Sequence, residues 1–269
     1  MKGCVHLICD YAPGDLAWSE ILSALSDELP GKVRLVQTSV ASFDTIATGF
    51  AVAQLAARPT ANASKLVLFA NCAPRKDATG ARKDNEGEGL VYVKLKNGAQ
   101  LLVVNSGYSL SFVLPHIVEL KSTKTSARGS QFRSRDNFPK AVAQCLKGDM
   151  SFLDKTLDHN DPAIIPPMPE AVVAYIDSFG NMKTSIRTGA ALLSSLKEGD
   201  KVRVIVGDKR RYATVTNGSF SVPEGELAFA PGSSGYEAPF WELFKRGGSA
   251  SQEFGGATTG SRVEIESCK

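Results

Sequence analysis

Short apolar runs alternate with longer amphipathic or Ala-rich stretches through the first half of the chain. The run at 5–9 (VHLIC) reads as a buried strand, and 16–29 carries apolar residues at helical spacing. A second strand is expected at 32–36, and an Ala-rich helix at 45–57 that Asp44 can cap. The run at 65–70 (KLVLFA) is apolar on both faces, as a central strand is. This β-α-β-α-β order predicts a largely parallel sheet covered by helices. Farther on, 90–94 and 99–104 form a hairpin around Lys96-Asn97-Gly98, and 109–114 begins a helix or turn that Pro115 stops. A short strand at 118–120, a polar loop at 121–130 and a helix running from 132 to Gly148 complete the half.

The pattern then changes. The stretch 161–170 (DPAIIPPMPE) is a stiff, extended connector. Beyond it, the segment 172–186 (VVAYIDSFGNMKTSI) reads as strand, turn, strand, with Gly180 and Asn181 permitting the tight reversal. Short runs at 190–196, 201–207, 210–216 and 227–229 with turn signals between them indicate a compact β unit. The expected fold is α/β: an N-terminal α/β domain at 1–160 with a largely parallel central sheet, the Pro-rich linker at 161–170, and a smaller, barrel-like β domain at 171–269.

Composition narrows the function classes. A length of 269 residues, 43% hydrophobic and 22% charged, is that of an ordinary globular chain. The net charge of +3 gives no electrostatic reason to expect nucleic acid or an anionic membrane as partner. Five dispersed cysteines and three distant histidines lack metal-site spacing and fit reduced thiols, so the expected setting is cytoplasmic, with no metal. Residues 1–27 lack the basic start and apolar core of a signal peptide, and no apolar run is long enough to span a bilayer.

Several polar groups fall where α/β sheets place ligands. Asp10 leaves the end of the first strand, the position of functional loops in such sheets. Asp15 lies at the start of the next helix, where it serves equally as a cap or as a ligand contact. Asn71 and Cys72 follow the third strand, and Asn105-Ser106-Gly107 ends another. Arg133 and Arg135 oppose the dipole at a helix N-terminus, which points to something anionic or carbonyl-like held there; for Arg135 with Asp136 a plain ion pair is the favoured reading. In the second half, Asp177-Ser178-Phe179-Gly180-Asn181 puts a carboxylate, an aromatic face and a carboxamide into one turn. The turns Gly232-Ser233-Ser234-Gly235 and Gly247-Gly248-Ser249-Ala250 can bring bare backbone close to a ligand.

Together, in this order and spacing, Asp10 with Asp15, Asn105-Ser106-Gly107, Phe132-Arg133-Ser134-Arg135-Asp136 and Asp177-Ser178-Phe179-Gly180-Asn181 make a chain-long pattern. It resembles the S-adenosylmethionine (SAM) hydroxide adenosyltransferases, a family that includes the 5′-fluoro- and 5′-chloro-adenosine synthases. The resemblance implies a homotrimer whose active sites lie between the N-domain of one subunit and the C-domain of its neighbour. SAM is then a substrate, and no cofactor is expected. Carried over by position, Asp10 grips the ribose hydroxyls, Asp15 lies near the methionine portion and Phe43 lies beside the ribose. Phe132, Ser134 and Thr79 line the nucleophile site. Asp177, Phe179 and Asn181 hold the amino-acid and adenine portions, Ser233 the methionine carboxylate and Ala250 the adenine edge.

The departures bear on the chemistry. Where hydroxide-type members carry an Asp after the third strand this chain has Asn71, and where they carry His-Gly it has Arg133-Ser134; Arg82 is the candidate for the arginine of that set. Asn71 cannot act as a base, and neither can Arg133 at ordinary pH. An anion would be drawn to Arg133 and hydrogen-bonded by Ser134. The expected activity is cleavage of SAM at its C5′–S bond by water, hydroxide or halide. The competing readings are a SAM- or adenosine-binding protein that has lost catalysis, and an unrelated hydrolase using Cys72.

Overall fold

The computed structural model describes residues 3–29, 31, 33–60, 62–76, 79–80, 87–125, 130–218 and 220–268. The chain forms two compact units, Met1–Pro167 and Met168–Lys269.

In the first unit, β1 (Cys4–Cys9), β2 (Arg34–Ser39) and β3 (Leu66–Asn71) lie parallel, with β1 between the other two. Helix α1 (Leu16–Glu28) connects β1 to β2, and α2 (Thr45–Ala56) carries the chain back across β1 to β3. Asp15 and Asp44 begin these helices by accepting the backbone N–H of Ala17 at 2.9 Å and of Ala47 at 2.8 Å. β5 (Gln100–Val104) continues the parallel set beside β3; β4 (Leu90–Leu95), β6 (Ile117–Thr123) and β7 (Leu153–Thr156) extend the sheet antiparallel, in the order β2-β1-β3-β5-β4-β6-β7. One face packs Val5, Leu7 and Cys9 against Trp18, Ile21 and Leu25 of α1 and against Phe138, Val142 and Cys145.

Three local expectations change. Residues 121–123 are strand rather than loop, because they pair with β4 and β7. β7 has no marked apolar alternation, so its sequence did not announce it. The single helix expected from 132 is two, α3 (Arg133–Asp136) and α4 (Phe138–Lys147), with Pro139 in the first turn of the second. Proline has no N–H to donate and its ring crowds the carbonyl four residues earlier, so a continuous helix breaks there. Gly148, at φ 78°, closes α4.

In the second unit, β8 (Val173–Ile176) and β9 (Met182–Arg187) form the expected hairpin. They are followed by β10 (Lys201–Val206), β11 (Lys209–Val215), β12 (Leu227–Pro231), β13 (Phe240–Lys245), the short α5 (Ala250–Glu253) and β14 (Val263–Ser267). Among the described residues the order is β14-β10-β11-β12-β13-β9-β8. The sheet curls until its ends meet: Val172 bridges Arg262, and Val173 N–H donates to the Ser261 carbonyl at 2.9 Å. Val202, Val204 and Val206 point inward at the period of two that a curled sheet requires, onto Met182, Phe229, Leu243 and Phe254. The run at 190–196 is a 3₁₀ turn at Ala191–Leu193, not a strand.

Candidate functional site

The register of β1 with its neighbours aligns Cys9 with both Ser39 and Asn71. The carboxyl ends of three parallel strands therefore form one edge. The chain leaves β1 toward β2 on one side and enters β3 on the other, so the crevice between β1 and β3 is the topological switch point, where open α/β sheets bind ligands.

Asp10, Tyr11 and Asn71 stand at that point. The amide Nδ2 of Asn71 donates to the Tyr11 hydroxyl at 2.8 Å, and the same hydroxyl lies 2.6 Å from Ser134 Oγ in α3. Asn71 and Ser134 are buried. The Tyr11 ring meets Trp18 and Phe132 edge to face, with centroids 5.6 and 6.0 Å away, which fixes its tilt. Three expected residues, Asn71, Phe132 and Ser134, thus meet around a fourth, Tyr11, that sequence reasoning passed over. The signal was available: an aromatic with a polar tip directly after a strand-end carboxylate.

Asp10 Oδ2 accepts the backbone N–H of Phe43 at 3.0 Å. Phe43 is a non-glycine residue at φ 64°, its ring 57% exposed, so the bond holds a strained corner at the Asp10 carboxylate. Burial raises the Asp10 carboxyl above its ordinary value; the Phe43 N–H, the Cys72 thiol and the Arg75 charge pull the other way. Burial and the Asp10 charge push the Cys72 thiol well up, and it donates to Asp10. A buried thiol held toward its protonated form is a poor nucleophile, which weighs against the Cys72 hydrolase reading. Burial likewise pushes the Tyr11 phenol up.

Other expected residues are used elsewhere. Asp15 caps α1 from an exposed position. Ser106 donates to the Cys72 carbonyl, Asn105 to the Ile164 carbonyl at 2.9 Å, and Gly107 lies so close to Thr45 that a Cβ would come within 2.5 Å of its hydroxyl. That motif ties loops together. Arg133 donates to the Glu88 carbonyl at 3.0 Å with its guanidinium 5.5 Å above the Phe138 ring, so the carbonyl-like partner expected for it is internal. Arg135 pairs with Asp136 at 2.6 Å and Glu20 at 2.8 Å, the plain ion pair that was favoured. Glu88 is buried and accepts the backbone N–H of Arg75 at 2.7 Å, pinning the loop after β3. Thr79 is exposed, and no hydrogen bond among the described residues joins it to Ser134. Arg82 and most of the 77–86 loop lie outside the described residues.

In the second unit the turn between β8 and β9 is built on Asp177. Its Oδ1 accepts the N–H of Phe179 and of Asn181, both at 3.0 Å, and its Oδ2 accepts Asn181 Nδ2 at 3.0 Å. The Asp177 carboxylate is thereby spent within the turn. It orients the Asn181 amide, whose carbonyl oxygen remains as an acceptor, and the Phe179 ring stands 76% exposed. The turn docks on α5: Ser251 N–H donates to the Gly180 carbonyl at 2.9 Å, and a Cβ on Gly180 would fall 2.0 Å from Ser249 Oγ. Ala250 lies between them, fully buried. Behind the turn, Lys183 Nζ lies 2.7 Å from Glu242 Oε2 and 3.7 Å from Asp177 Oδ2. Ser233 is exposed in the loop after β12, next to Gly232, which packs on the Glu242 carboxylate.

Among the described residues no group of His, Cys, Asp and Glu is arranged to hold a metal, and no helix is long and apolar enough to cross a membrane.

Residues 171–264 match the SAM hydroxide adenosyltransferase C-terminal domain. The match spans nearly all of the second unit. The turn on Asp177, the α5 segment and the Gly232 loop all fall inside the matched SAM hydroxide adenosyltransferase domain. The whole chain is similar in fold to an uncharacterized conserved protein from Thermotoga maritima, with TM-score 0.76, 19% identity, and 97% of this chain and 99% of that one covered. It is also similar to a conserved hypothetical protein from Thermus thermophilus, with TM-score 0.68, 19% identity, and 98% and 100% covered. No curated protein matches the sequence.

Proposed function

We propose that this protein is a SAM-dependent adenosyltransferase that cleaves the C5′–S bond of SAM by nucleophilic substitution. A nucleophile's lone pair forms the new bond to C5′ while the C5′–S pair returns to sulfur, which leaves as the neutral thioether of L-methionine. With a halide the product is a 5′-halogenated adenosine; with water it is adenosine and one proton is released. No acid is needed for the leaving group, so the protein's task is alignment and exclusion of bulk water.

One observation carries this reading. The chain joins a SAM hydroxide adenosyltransferase C-terminal domain to an α/β unit whose switch point gathers Asp10, Asn71, Phe132 and Ser134. In this reading the Asp10 carboxylate takes the two ribose hydroxyls as charge-assisted hydrogen bonds and so fixes C5′. Phe43 flanks the sugar, and Asp15 and Ser233 serve the methionine portion. Phe179, the Asn181 carbonyl and the backbone at Ala250 serve the adenine, with Asp177 as the scaffold of that turn. Ser134 faces the nucleophile, with Thr79 and Arg133 assigned to the same side. A homotrimer with SAM as substrate and no added cofactor completes the proposal.

The chemistry at the switch point favours an anionic nucleophile. The groups assigned to the nucleophile side, an amide, a serine hydroxyl and a phenol held protonated, include no base to take a proton from water, and the Asp10 carboxylate at the same strand edge is assigned to the ribose.

The test is incubation with SAM in fluoride, chloride, bromide and halide-free buffers, with products separated by chromatography. Methionine together with a 5′-halogenated adenosine or adenosine supports the proposal. Unchanged SAM in every buffer overturns it, and tight SAM binding without turnover would then show a binding protein.

A further inference from the structure

Two hydrogen bonds join three groups at the switch point, and one of the two has a fixed direction. Asn71 Nδ2 has hydrogens and no lone pair to offer, so at 2.8 Å the Tyr11 oxygen must accept from it. Tyr11 has one proton of its own, and its other partner is Ser134 Oγ, 2.6 Å away. Between these two hydroxyls either can donate. With the Tyr11 proton on that bond, Ser134 accepts and keeps its own proton for a ligand, and the relay from Asn71 through Tyr11 to Ser134 ends in a donor.

We propose that Tyr11 is a positioning residue that decides which class of nucleophile the site accepts, by holding Ser134 as a hydrogen-bond donor toward a small monovalent anion. The assignment rests on the adenosyl-transfer reading for its purpose, although the relay itself is independent of turnover. The edge-to-face contacts with Trp18 and Phe132 keep the phenol aimed along the line from Asn71 to Ser134. Phe132 is in turn covered by the Arg135 guanidinium, 5.0 Å from its ring, and Arg135 is anchored to Asp136 and Glu20. The structural ion pair at the start of α3 thus steadies the ring that steadies Tyr11.

A single exchange reverses the relay. In Asn71→Asp the carboxylate can only accept, so the Tyr11 proton turns toward it and Tyr11 accepts from Ser134. Ser134 then presents lone pairs, which suit a donor such as water and repel an anion. The residue at position 71 writes the polarity, and Tyr11 transmits it.

Chloride binding, followed by chlorine NMR linewidths on the intact protein, tests this without any reaction. The wild type is expected to show broadening that Ser134→Ala abolishes. Asn71→Asp should weaken chloride by about tenfold or more, the range of one charge-assisted hydrogen bond lost. In a Tyr11→Phe background the same Asn71→Asp change should cost less than about threefold, since only through-space charge remains and part of it is screened. An equal penalty in both backgrounds overturns the relay, and so does wild-type broadening that does not depend on Ser134. If Asn71→Asp does not fold, as judged by circular dichroism, Tyr11→Phe alone decides: severalfold weaker chloride supports the proposal and unchanged chloride overturns it. Products from SAM in chloride are read in parallel. Ser134-dependent chloride binding with no turnover would leave the Tyr11 assignment standing and remove the adenosyl-transfer reading; turnover without such binding would do the reverse.

Discussion

Replacing Lys183 by Met should unfold the second unit far more readily than its position in a β hairpin would imply. Glu242 is 1% exposed and the Lys183 side chain 13%, and their 2.7 Å contact satisfies one carboxylate oxygen, while Glu242 Oε1 has no hydrogen-bond partner among the described residues. The other oxygen has little to fall back on, because Gly232 already packs against the carboxyl group. Removing the ammonium leaves a buried charge uncompensated, which costs about 3–5 kcal/mol, whereas an exposed pair costs about 1 kcal/mol or less. Domains of this size have about 5–15 kcal/mol in total, so the loss is a large fraction. At about 4–8 °C per kcal/mol for a unit of roughly a hundred residues, the melting transition should fall by at least about 12 °C. Trp241, stacked on Phe229 at 4.6 Å, reports on this unit, and a Trp18→Phe background makes it the sole tryptophan. Thermal and urea melts followed by its fluorescence give the number. The double variant Lys183→Met/Glu242→Met should recover most of the loss, since a pair of apolar side chains needs no partner. A single-variant cost below about 1 kcal/mol, or a double variant less stable than the single, would refute the reasoning.

Asp10→Ala should lower SAM turnover by roughly a hundredfold or more, because alignment of C5′ is the main catalytic resource available; an unchanged kcat would reduce Asp10 to a holder of Phe43. Asp10 also has a pH signature. Its carboxyl is raised in the folded state, so the fold binds its proton more tightly than the unfolded chain does. The associated stability is full below the ordinary carboxylate value and lost as pH rises through the raised one. Asp10→Asn should therefore gain on the wild type as pH climbs through that window and level off above it, in urea melts at stepped pH; a difference flat across the window would contradict the shift. Gly180→Ala should cost about 2 kcal/mol or more, from a backbone at φ 81° and a methyl driven into Ser249, with the same Trp241 melts as the measure. Iodoacetamide should label exposed Cys268 well before buried Cys72 in peptide mapping, and rapid labelling of Cys72 would restore it as a nucleophile.

The linear pattern determined the elements whose faces repeat: the parallel core of β1, β2 and β3, the helices capped by Asp15 and Asp44, the hairpin at Asp177–Asn181 and the β character of the second unit. Each is written in local periodicity and turn chemistry, which need no knowledge of distant neighbours. β7, β13 and β14 were not legible because pairing partners far along the chain make them strands, whereas the break in the helix at Asn137 was legible in Pro139, which the helical pattern on either side of it outweighed. The candidate residues could be placed at strand ends one by one, yet their roles were not separable. Asp177 and Arg133 read as ligand groups, and only the fold showed that the first accepts N–H groups of its own turn and the second donates to the Glu88 carbonyl. Tyr11 read as nothing until Asn71 and Ser134, 60 and 123 residues away, closed on its hydroxyl. Hydrogen-bond direction belongs to groups in contact, and contact between such distant residues is set only when the strands take their order in the sheet.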